Sequence, residues 1–497
     1  MGADPRRGMV AATSTSTDSP IVRHWGAYRA ARRRRPPRLL WGALAAAALV
    51  AAGVAVWLAV RPNPWRPHFS SCTYGGYVSA WCGRIAVPED PRRPHGRTIS
   101  LRVAVLPATE RPAEGALFYL EGGPGGAATA AAVRVNELFA EVGRRRDLVM
   151  VDQRGTGGSA RLACPDARVR AADAAAVAVY VRRCFAGLRR DPRLYTTSVA
   201  AEDLEAVRRA LSYGRIDVYG VSYGATLAQA FLRQHPGSVR NAVLDSGSLP
   251  GVHVYDRSAA NAQRALDAVL ARCAAASDCA RAFPDPERDL ETLLGRAPRR
   301  VTVEAGTVLL RPVDVAWTVE SLTESADGAA TVPYALHAAV HGDYLPLART
   351  YASEVGADLD ARARLAMAWE ILCSEPWARP TAAATGAGYL ARAVAERADV
   401  LGRACRWVPK GRVLAGAAAV SEAPVLLLAG GADPLDPAAN LRGWRRAFPH
   451  GRLVVVPGTG HGTIGYGCVP ALVARFVAGN ALDTACLRRL QPPPFQL

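Results

Sequence analysis

One stretch of this chain admits few folds: Ile216-Asp-Val-Tyr-Gly-Val-Ser-Tyr-Gly-Ala-Thr-Leu-Ala-Gln-Ala-Phe231. It opens as a short β-branched and aromatic run and turns at Gly220-Val-Ser222-Tyr-Gly224. It then continues with Ala225, Leu227, Ala228 and Phe231 at helical spacing. The reading is strand, tight turn and helix, with Ser222 at the apex of a strained turn. A side chain at Gly220 or Gly224 would collide with the neighbouring strand or helix. With 45 glycines in 497 residues, a Gly-x-Ser-x-Gly pentapeptide also arises by chance. Its meaning therefore depends on whether a base, an acid and oxyanion donors appear where such a turn needs them.

The surrounding pattern supplies a sheet. From Thr98 the chain alternates, with Ile99, Leu101, Val103 and Val105 on one face, and this predicts a strand at an antiparallel edge. Ala116-Leu-Phe-Tyr-Leu120 predicts a buried strand that runs straight into Glu121-Gly-Gly-Pro-Gly-Gly126. Asp147-Leu-Val-Met-Val151 predicts the next, ending in Asp152-Gln-Arg-Gly-Thr-Gly-Gly-Ser159, and residues 239–244 follow the serine turn. Strands alternating with helical stretches such as residues 201–211 indicate an α/β fold with a mostly parallel sheet and right-handed crossovers. Between residues 251 and 419 the strand rhythm fades into Ala, Arg and Leu at helical spacing, read as a largely helical cap. Two more buried strands follow, at Pro424-Val-Leu-Leu-Leu-Ala429 and Arg452-Leu-Val-Val-Val456. The organisation expected is a basic tail at 1–38, an apolar segment at 39–60 and an N-terminal segment at 61–97. The α/β core then occupies 98–250 and 420–490, with the cap between its two parts and an exposed Pro-rich tail at 491–497.

An acyl-transfer serine needs a base to take its proton and an acid to orient that base. The strand ending at Ala429 delivers Gly430-Gly-Ala-Asp433-Pro-Leu-Asp436-Pro, and the next delivers Gly458-Thr-Gly-His461-Gly. Both follow the C-terminal ends of buried strands, where an open α/β sheet places its site. Asp433 is the expected acid with Asp436 as the alternative, although either could cap a helix. His461 is the expected base, because His450 precedes the last strand, where a turn is expected. For the oxyanion hole, the N–H of Tyr223 is one donor and the loop after Leu120 supplies the other. Pro124 lacks an N–H, which leaves Gly123 or Gly122.

Residues 39–60 carry no charge and are interrupted only by Gly42 and Gly53. At helical rise that length spans a hydrocarbon core. Arg32 to Arg35 and Arg38 stand before it, so the tail is expected in the cytoplasm and everything after residue 60 outside. An uncleaved signal anchor fits better than a cleaved signal peptide, whose apolar region is shorter and whose Ala-x-Ala-like site is not evident near Val60. The expected location is the cell membrane, single-pass with an extracytoplasmic catalytic domain, or secreted if the segment is cleaved. All ten cysteines lie beyond this segment and fall into neighbours: Cys72 with Cys82, Cys164 with Cys184, Cys273 with Cys279, Cys373 with Cys405, and Cys468 with Cys486. An even count in an exported chain reads as disulfides, the connectivity being left open. No Cys-x-x-Cys occurs, and no metal is expected. The net charge of +18 is almost all arginine, Lys410 being the only lysine, and residues 1–38 carry +7 of it. That bias suggests a GC-rich genome, and with no accompanying motif nucleic-acid binding is not expected.

Together these residues resemble α/β-hydrolases of the proline iminopeptidase and tripeptidyl aminopeptidase group. The resemblance rests on Gly122-Gly-Pro-Gly-Gly126, Asp152-Gln-Arg-Gly-Thr-Gly157, Gly220-Val-Ser-Tyr-Gly224, Asp433 with Pro434 and Pro437, and Gly460-His461. Cys373-Ser-Glu375, Cys468 and Cys486 also resemble secreted actinobacterial members with a TAP-like C-terminal region. The resemblance implies an α/β-hydrolase fold and hydrolysis of peptides from a free N-terminus by Ser222, His461 and Asp433, without metal or cofactor. Two departures bear on the substrate. Proline iminopeptidases carry His where this chain has Glu121, and the family often has Thr where this chain has Asp436. An aminopeptidase needs carboxylates for the substrate ammonium, and Glu375 and Glu370 in the cap are the candidates, against a reading as exposed helix charges. The leading expectation is an exported serine aminopeptidase. An esterase or small-molecule hydrolase with the same triad is the alternative, and a catalytically silent binding protein is the third reading.

Overall fold

The computed structural model describes residues 47–49, 68–164, 174–296, 298–356, 365–378, 388, 390, 400–413 and 420–497. The chain divides into two units, Met1–Val60 and Arg61–Leu497. Of the first, only residues 47–49 are described, and they are helical. The basic tail and the rest of the apolar segment expected at 39–60 lie outside the described residues. Among the described residues no helix is long and apolar enough to cross a membrane.

The second unit is built on nine strands in the order β1-β2-β3-β5-β4-β6-β7-β10-β11. They are β1 (Ser70–Tyr74), β2 (Val78–Pro88), β3 (Thr98–Leu106), β4 (Ala116–Leu120), β5 (Asp147–Val151), β6 (Ile216–Val221) and β7 (Val239–Asp245), then β10 (Val425–Gly430) and β11 (Gly451–Val456). From β5 to β11 every pairing is parallel. The pairings β1 with β2, β2 with β3 and β3 with β5 are antiparallel.

The parallel strands are covered on both faces, which explains why they read as continuous apolar runs. Their alternate residues divide between two cores. Phe118, Val149, Val218 and Leu427 pack with helices Thr197–Ala210 and Tyr223–Gln234. Tyr119, Met150, Tyr219 and Leu428 pack with helices Ala132–Leu138 and Val469–Val477 on the other face.

One expectation is corrected here. β3 is not the antiparallel edge, because β2 pairs along it and β1 forms the edge. β1 is a polar, largely exposed strand and β2 carries Cys82, Gly83 and Arg84 at its centre, so neither shows a buried-strand pattern. Residues 491–497 are exposed or half-buried and are held at two points. The Arg272 guanidinium lies 4.1 Å from the Phe495 ring centroid, and Gln496 N–H donates to Ala330 O at 3.1 Å. The chain end thus lies across the cap, where Phe495 joins the cluster of Cys273, Cys279 and Phe283.

The cap has two parts. In the larger, helices Val254–Ala275, Pro312–Thr323 and Ala326–Val340 share a core around Leu266, Trp317, Val319 and Leu336. It also carries an unanticipated antiparallel hairpin of β8 (Arg299–Val303) and β9 (Gly306–Leu310). In the smaller, helices Ala174–Ala186 and Ala366–Ser374 and residues 400–408 close over Tyr195 and Tyr223. All five cysteine pairs form between the expected neighbours. Two of them, Cys164–Cys184 and Cys373–Cys405, staple this smaller part. A loop-closing bridge of this kind typically contributes about 2–4 kcal/mol.

Candidate active site

Ser222 stands between β6 and helix Tyr223–Gln234 at φ 56° and ψ −125°, a backbone region that L-residues rarely occupy. The flanking glycines make the turn possible. A Cβ on Gly220 would lie 2.2 Å from Gly224 O, and one on Gly224 would lie 2.2 Å from Leu120 O. Ser222 N–H donates to Asp245 O at 2.9 Å, which ties the apex to the end of β7.

The loop after β4 passes directly over this serine: a Cβ on Gly122 would lie 3.0 Å from Ser222 Cβ. Gly122 is therefore beside the serine, and Gly123 follows it in the loop. Gly122 N–H donates to Glu121 Oε1 at 3.0 Å. Glu121 is in turn held by Tyr119 OH at 3.1 Å and Arg134 Nη2 at 2.7 Å. Gly123 stands at φ 124°, and Tyr223 opens a helix at the end where amide donors face outward.

Asp433 and His461 come together across the ends of β10 and β11. His461 Nδ1 lies 3.0 Å from Asp433 Oδ2 and 3.2 Å from Oδ1. The N–H groups of Leu435 and Asp436 donate to Asp433 Oδ1 at 2.8 Å each, which fixes the carboxylate. Asp436 instead accepts a hydrogen bond from Ser248 Oγ, which Asn440 Nδ2 approaches at 2.9 Å. His450 is exposed and paired with Glu422 at 3.1 Å, away from this cluster.

The electrostatics follow from burial among carboxylates. Burial alone would lower the His461 imidazole, but the charge and hydrogen bond of Asp433, then the charges of Asp436 and Glu324, raise it overall. For Asp433 burial works upward, and the charge and hydrogen bond of His461 outweigh it and lower the carboxyl. Asp436 is pushed up to about 6, chiefly by burial. The cap also reaches the histidine through its main chain, since His461 N–H donates to Glu324 O at 2.7 Å.

The two cap glutamates are buried, so their reading as exposed helix charges is corrected. Helix Ala366–Ser374 lies over the glycine loop, where a Cβ on Gly125 would meet Leu365 and Ala368 at 3.4 and 3.6 Å. Just beyond that helix, Glu375 Oε1 accepts Thr197 N–H at 3.2 Å. Thr197 Oγ1 lies 3.0 Å from Tyr223 OH, which also accepts from Gln153 Nε2 at 2.9 Å. Glu375 is thus one residue removed from the side chain next to Ser222. Glu370 is held by other partners. Its Oε1 accepts from Ser374 Oγ at 2.6 Å and Gly411 N–H at 2.8 Å, and burial pushes its carboxyl up to about 7.

Sequence reasoning missed several of these partners. Gln153 was legible only as part of the loop from Asp152 to Ser159, and Thr197 carried no sequence signal. His337 and His341 form a His-x-x-x-His pair that the sequence reading passed over. His337 Nδ1 lies 2.9 Å from Asp289 Oδ2 and His341 Nδ1 lies 2.8 Å from His337 O. Among the described residues no group of three or more His, Cys, Asp or Glu is arranged to hold a metal ion.

Comparison with known proteins gives a consistent setting. Residues 115–285 match the family model described as alpha/beta hydrolase fold, and residues 397–486 match that of TAP-like protein. The chain is 32% identical over 186 residues to tripeptidyl aminopeptidase of Streptomyces lividans, covering 33% of this chain and 35% of that protein. It is 32% identical over 289 residues to serine protease Hip1 of Mycobacterium tuberculosis, covering 50% of this chain and 55% of that protein. The match thus spans between a third and a little over half of these relatives' own length. Among solved structures, proline iminopeptidase of Mycobacterium smegmatis is 17% identical with a TM-score of 0.35, covering 80% of this chain and 98% of that one.

Proposed function

We propose that this chain is an exported serine aminopeptidase among the α/β-hydrolases with a TAP-like C-terminal region, a reading that the two family-model matches support. The observation that carries the reading is the 3.0 Å contact between His461 Nδ1 and Asp433 Oδ2, in a chain whose Ser222 sits at a strained strand–helix turn. In this reading Ser222 Oγ attacks the scissile carbonyl while His461 takes its proton and later delivers it to the leaving amine. Asp433 holds the imidazole and stabilises its cationic form. The N–H groups of Tyr223 and Gly123 receive the developing oxyanion. Water then hydrolyses the acyl-enzyme.

The substrate proposed is a peptide with a free N-terminus. Glu375, buried beneath the cap and linked through Thr197 to Tyr223, is the carboxylate placed to meet an ammonium group. Glu370 is assigned a structural role through its Oε1, which Ser374 and Gly411 hold, while its buried Oε2 makes no hydrogen bond among the described residues and leaves it the second candidate. The tripeptidyl aminopeptidase name of a relative supports the same substrate class. Five disulfides support an oxidising compartment, and the uncharged segment at 39–60 supports a membrane anchor with the catalytic unit outside.

The test uses the full chain in detergent with paired chromogenic peptides, one with a free N-terminus and one N-acetylated, beside Ser222→Ala. Cleavage of the free peptide alone, lost in the variant, is the expected result. If neither peptide is cut while a simple ester is, the protein is an esterase.

A further inference from the structure

Asp245 touches both halves of the proposed machinery. Its backbone carbonyl accepts the N–H of Ser222 at 2.9 Å. Its carboxylate accepts Thr463 N–H at 3.0 Å on each oxygen, Thr463 Oγ1 at 2.9 Å and Ile464 N–H at 3.0 Å. These are the residues two and three positions after His461. Tyr219 OH, from the strand that delivers Ser222, donates to the same carboxylate at 2.5 Å, and Ser246 Oγ lies 3.2 Å from it. The next residue continues the join. Ser246 Oγ accepts Gly462 N–H at 2.8 Å, while its own N–H donates to Leu428 O of β10 at 2.9 Å.

Asp245 and Ser246 are both fully buried. Each of the carboxylate's five partner groups is a donor, the set that an ionised, acceptor-only carboxylate requires. They come from the strand that leads into Ser222, the loop that carries His461, and the residue next to Asp245. Asp433 grips the imidazole ring itself, whereas Asp245 grips the backbone that carries it.

We propose that Asp245 is a positioning residue that sets the placement of His461 relative to Ser222, binding the serine through its main chain and the histidine loop through its side chain. The proposal rests on the serine-hydrolase reading above. Its physical content is the steep dependence of proton transfer and attack on reacting geometry, where a displacement of about 1 Å costs roughly a hundredfold.

The experiment compares wild type, Asp245→Asn and Thr463→Val as full chains, reading kcat and KM on the free-amine peptide, the rate of Ser222 labelling by a fluorophosphonate, and Tm. Asn keeps the volume but turns an amide toward the Thr463 and Ile464 donors. Its kcat is expected to fall about 10- to 100-fold with KM within about twofold, and labelling is expected to slow by the same factor. Thr463→Val removes only the hydroxyl and is expected to give a smaller fall of the same kind. It keeps the question open to measurement even if the Asn variant does not fold. Val473→Ala, buried in the sheet core away from the site, is the control for destabilisation alone. The proposal is overturned if the folded variants keep kcat and labelling within about twofold of wild type, or lose no more than Val473→Ala at equal Tm loss. A wild type that neither cleaves peptide or ester nor takes the label at Ser222 overturns the hydrolase reading itself, and the positioning role with it.

Discussion

His461 Nδ1 stands 3.0 Å from Asp433 Oδ2, while the other oxygen of that carboxylate is held by the amides of Leu435 and Asp436. The acid is therefore immobilised before it orients the base. Asp433→Asn keeps the shape but offers the ring a donor in place of an acceptor, which favours the wrong tautomer. We expect kcat to fall about a thousandfold to ten-thousandfold with little change in KM. Steady-state kinetics on the free-amine peptide check this, and a fall under tenfold would assign the orienting role elsewhere.

Asp436 gives a prediction of opposite sign. Its charge is one of those that raise His461, yet its carboxylate accepts a hydrogen bond from Ser248 Oγ and not from the imidazole. The base must be neutral to take the serine proton, so a raised imidazole pKa moves the acid limb of activity to higher pH. Asp436→Asn removes that charge, and the limb should move to lower pH by roughly half a unit to one unit. On the acid side the variant should be more active than wild type at the same pH. The profile of kcat/KM against pH tests this, and an unmoved limb would show that Asp436 does not act on the base.

Glu375 is one residue from Tyr223 through Thr197. If its carboxylate meets the substrate ammonium, Glu375→Gln removes a charge-assisted hydrogen bond of about 1.5–3 kcal/mol. KM for the free-amine peptide should then rise about 10- to 100-fold, while hydrolysis of a small neutral ester stays within about twofold. Equal losses on both substrates would make Glu375 a support for the helix that starts at Thr197.

Much of this architecture was legible because parallel strands buried on both faces write uninterrupted apolar runs. The residues after those runs, Ser222, Asp433 and His461, were placed at strand ends by sequence alone, and Asp433 does meet His461. The cysteines paired as neighbours because each bridge closes a short loop. β1 and β2 were not legible, since strands half in water carry polar residues and no clear period. The hairpin β8–β9 was missed for the same reason, with Arg299 and Arg300 exposed at its start. The side-chain joins were further out of reach. Asp245 and Thr463 are 218 positions apart, and no local pattern marks a carboxylate whose partners are backbone amides that far along the chain. The hydrogen bond from Gly122 N–H to Glu121 also needed coordinates, because a glutamate before a glycine loop is equally consistent with a side chain facing water.

Glu370 supplies a stability prediction whose sign follows from its burial. Its carboxyl is pushed up to about 7 from an ordinary 4.5, chiefly by burial, against hydrogen bonds from Ser374 and Gly411 that favour the charge. In the unfolded chain the group titrates near its ordinary value. Below that value it is protonated in both states and carries no penalty. As pH rises from about 4.5 towards 7, the unfolded chain releases the proton and the folded one retains it, so folding loses free energy. Above about 7 the full cost stands, on the order of 3 kcal/mol at 1.36 kcal/mol per pKa unit. Glu370→Gln keeps an oxygen for Ser374 Oγ and Gly411 N–H and has no charge to bury. The variant should therefore lose less Tm than wild type between pH 5 and pH 8, and should match or exceed wild type at pH 8. Thermal unfolding of both proteins at the two pH values measures this directly. If the Tm difference between pH 5 and pH 8 is the same in both proteins, Glu370 is ionised in the fold at its ordinary value, and its carboxylate would again be available to a substrate ammonium.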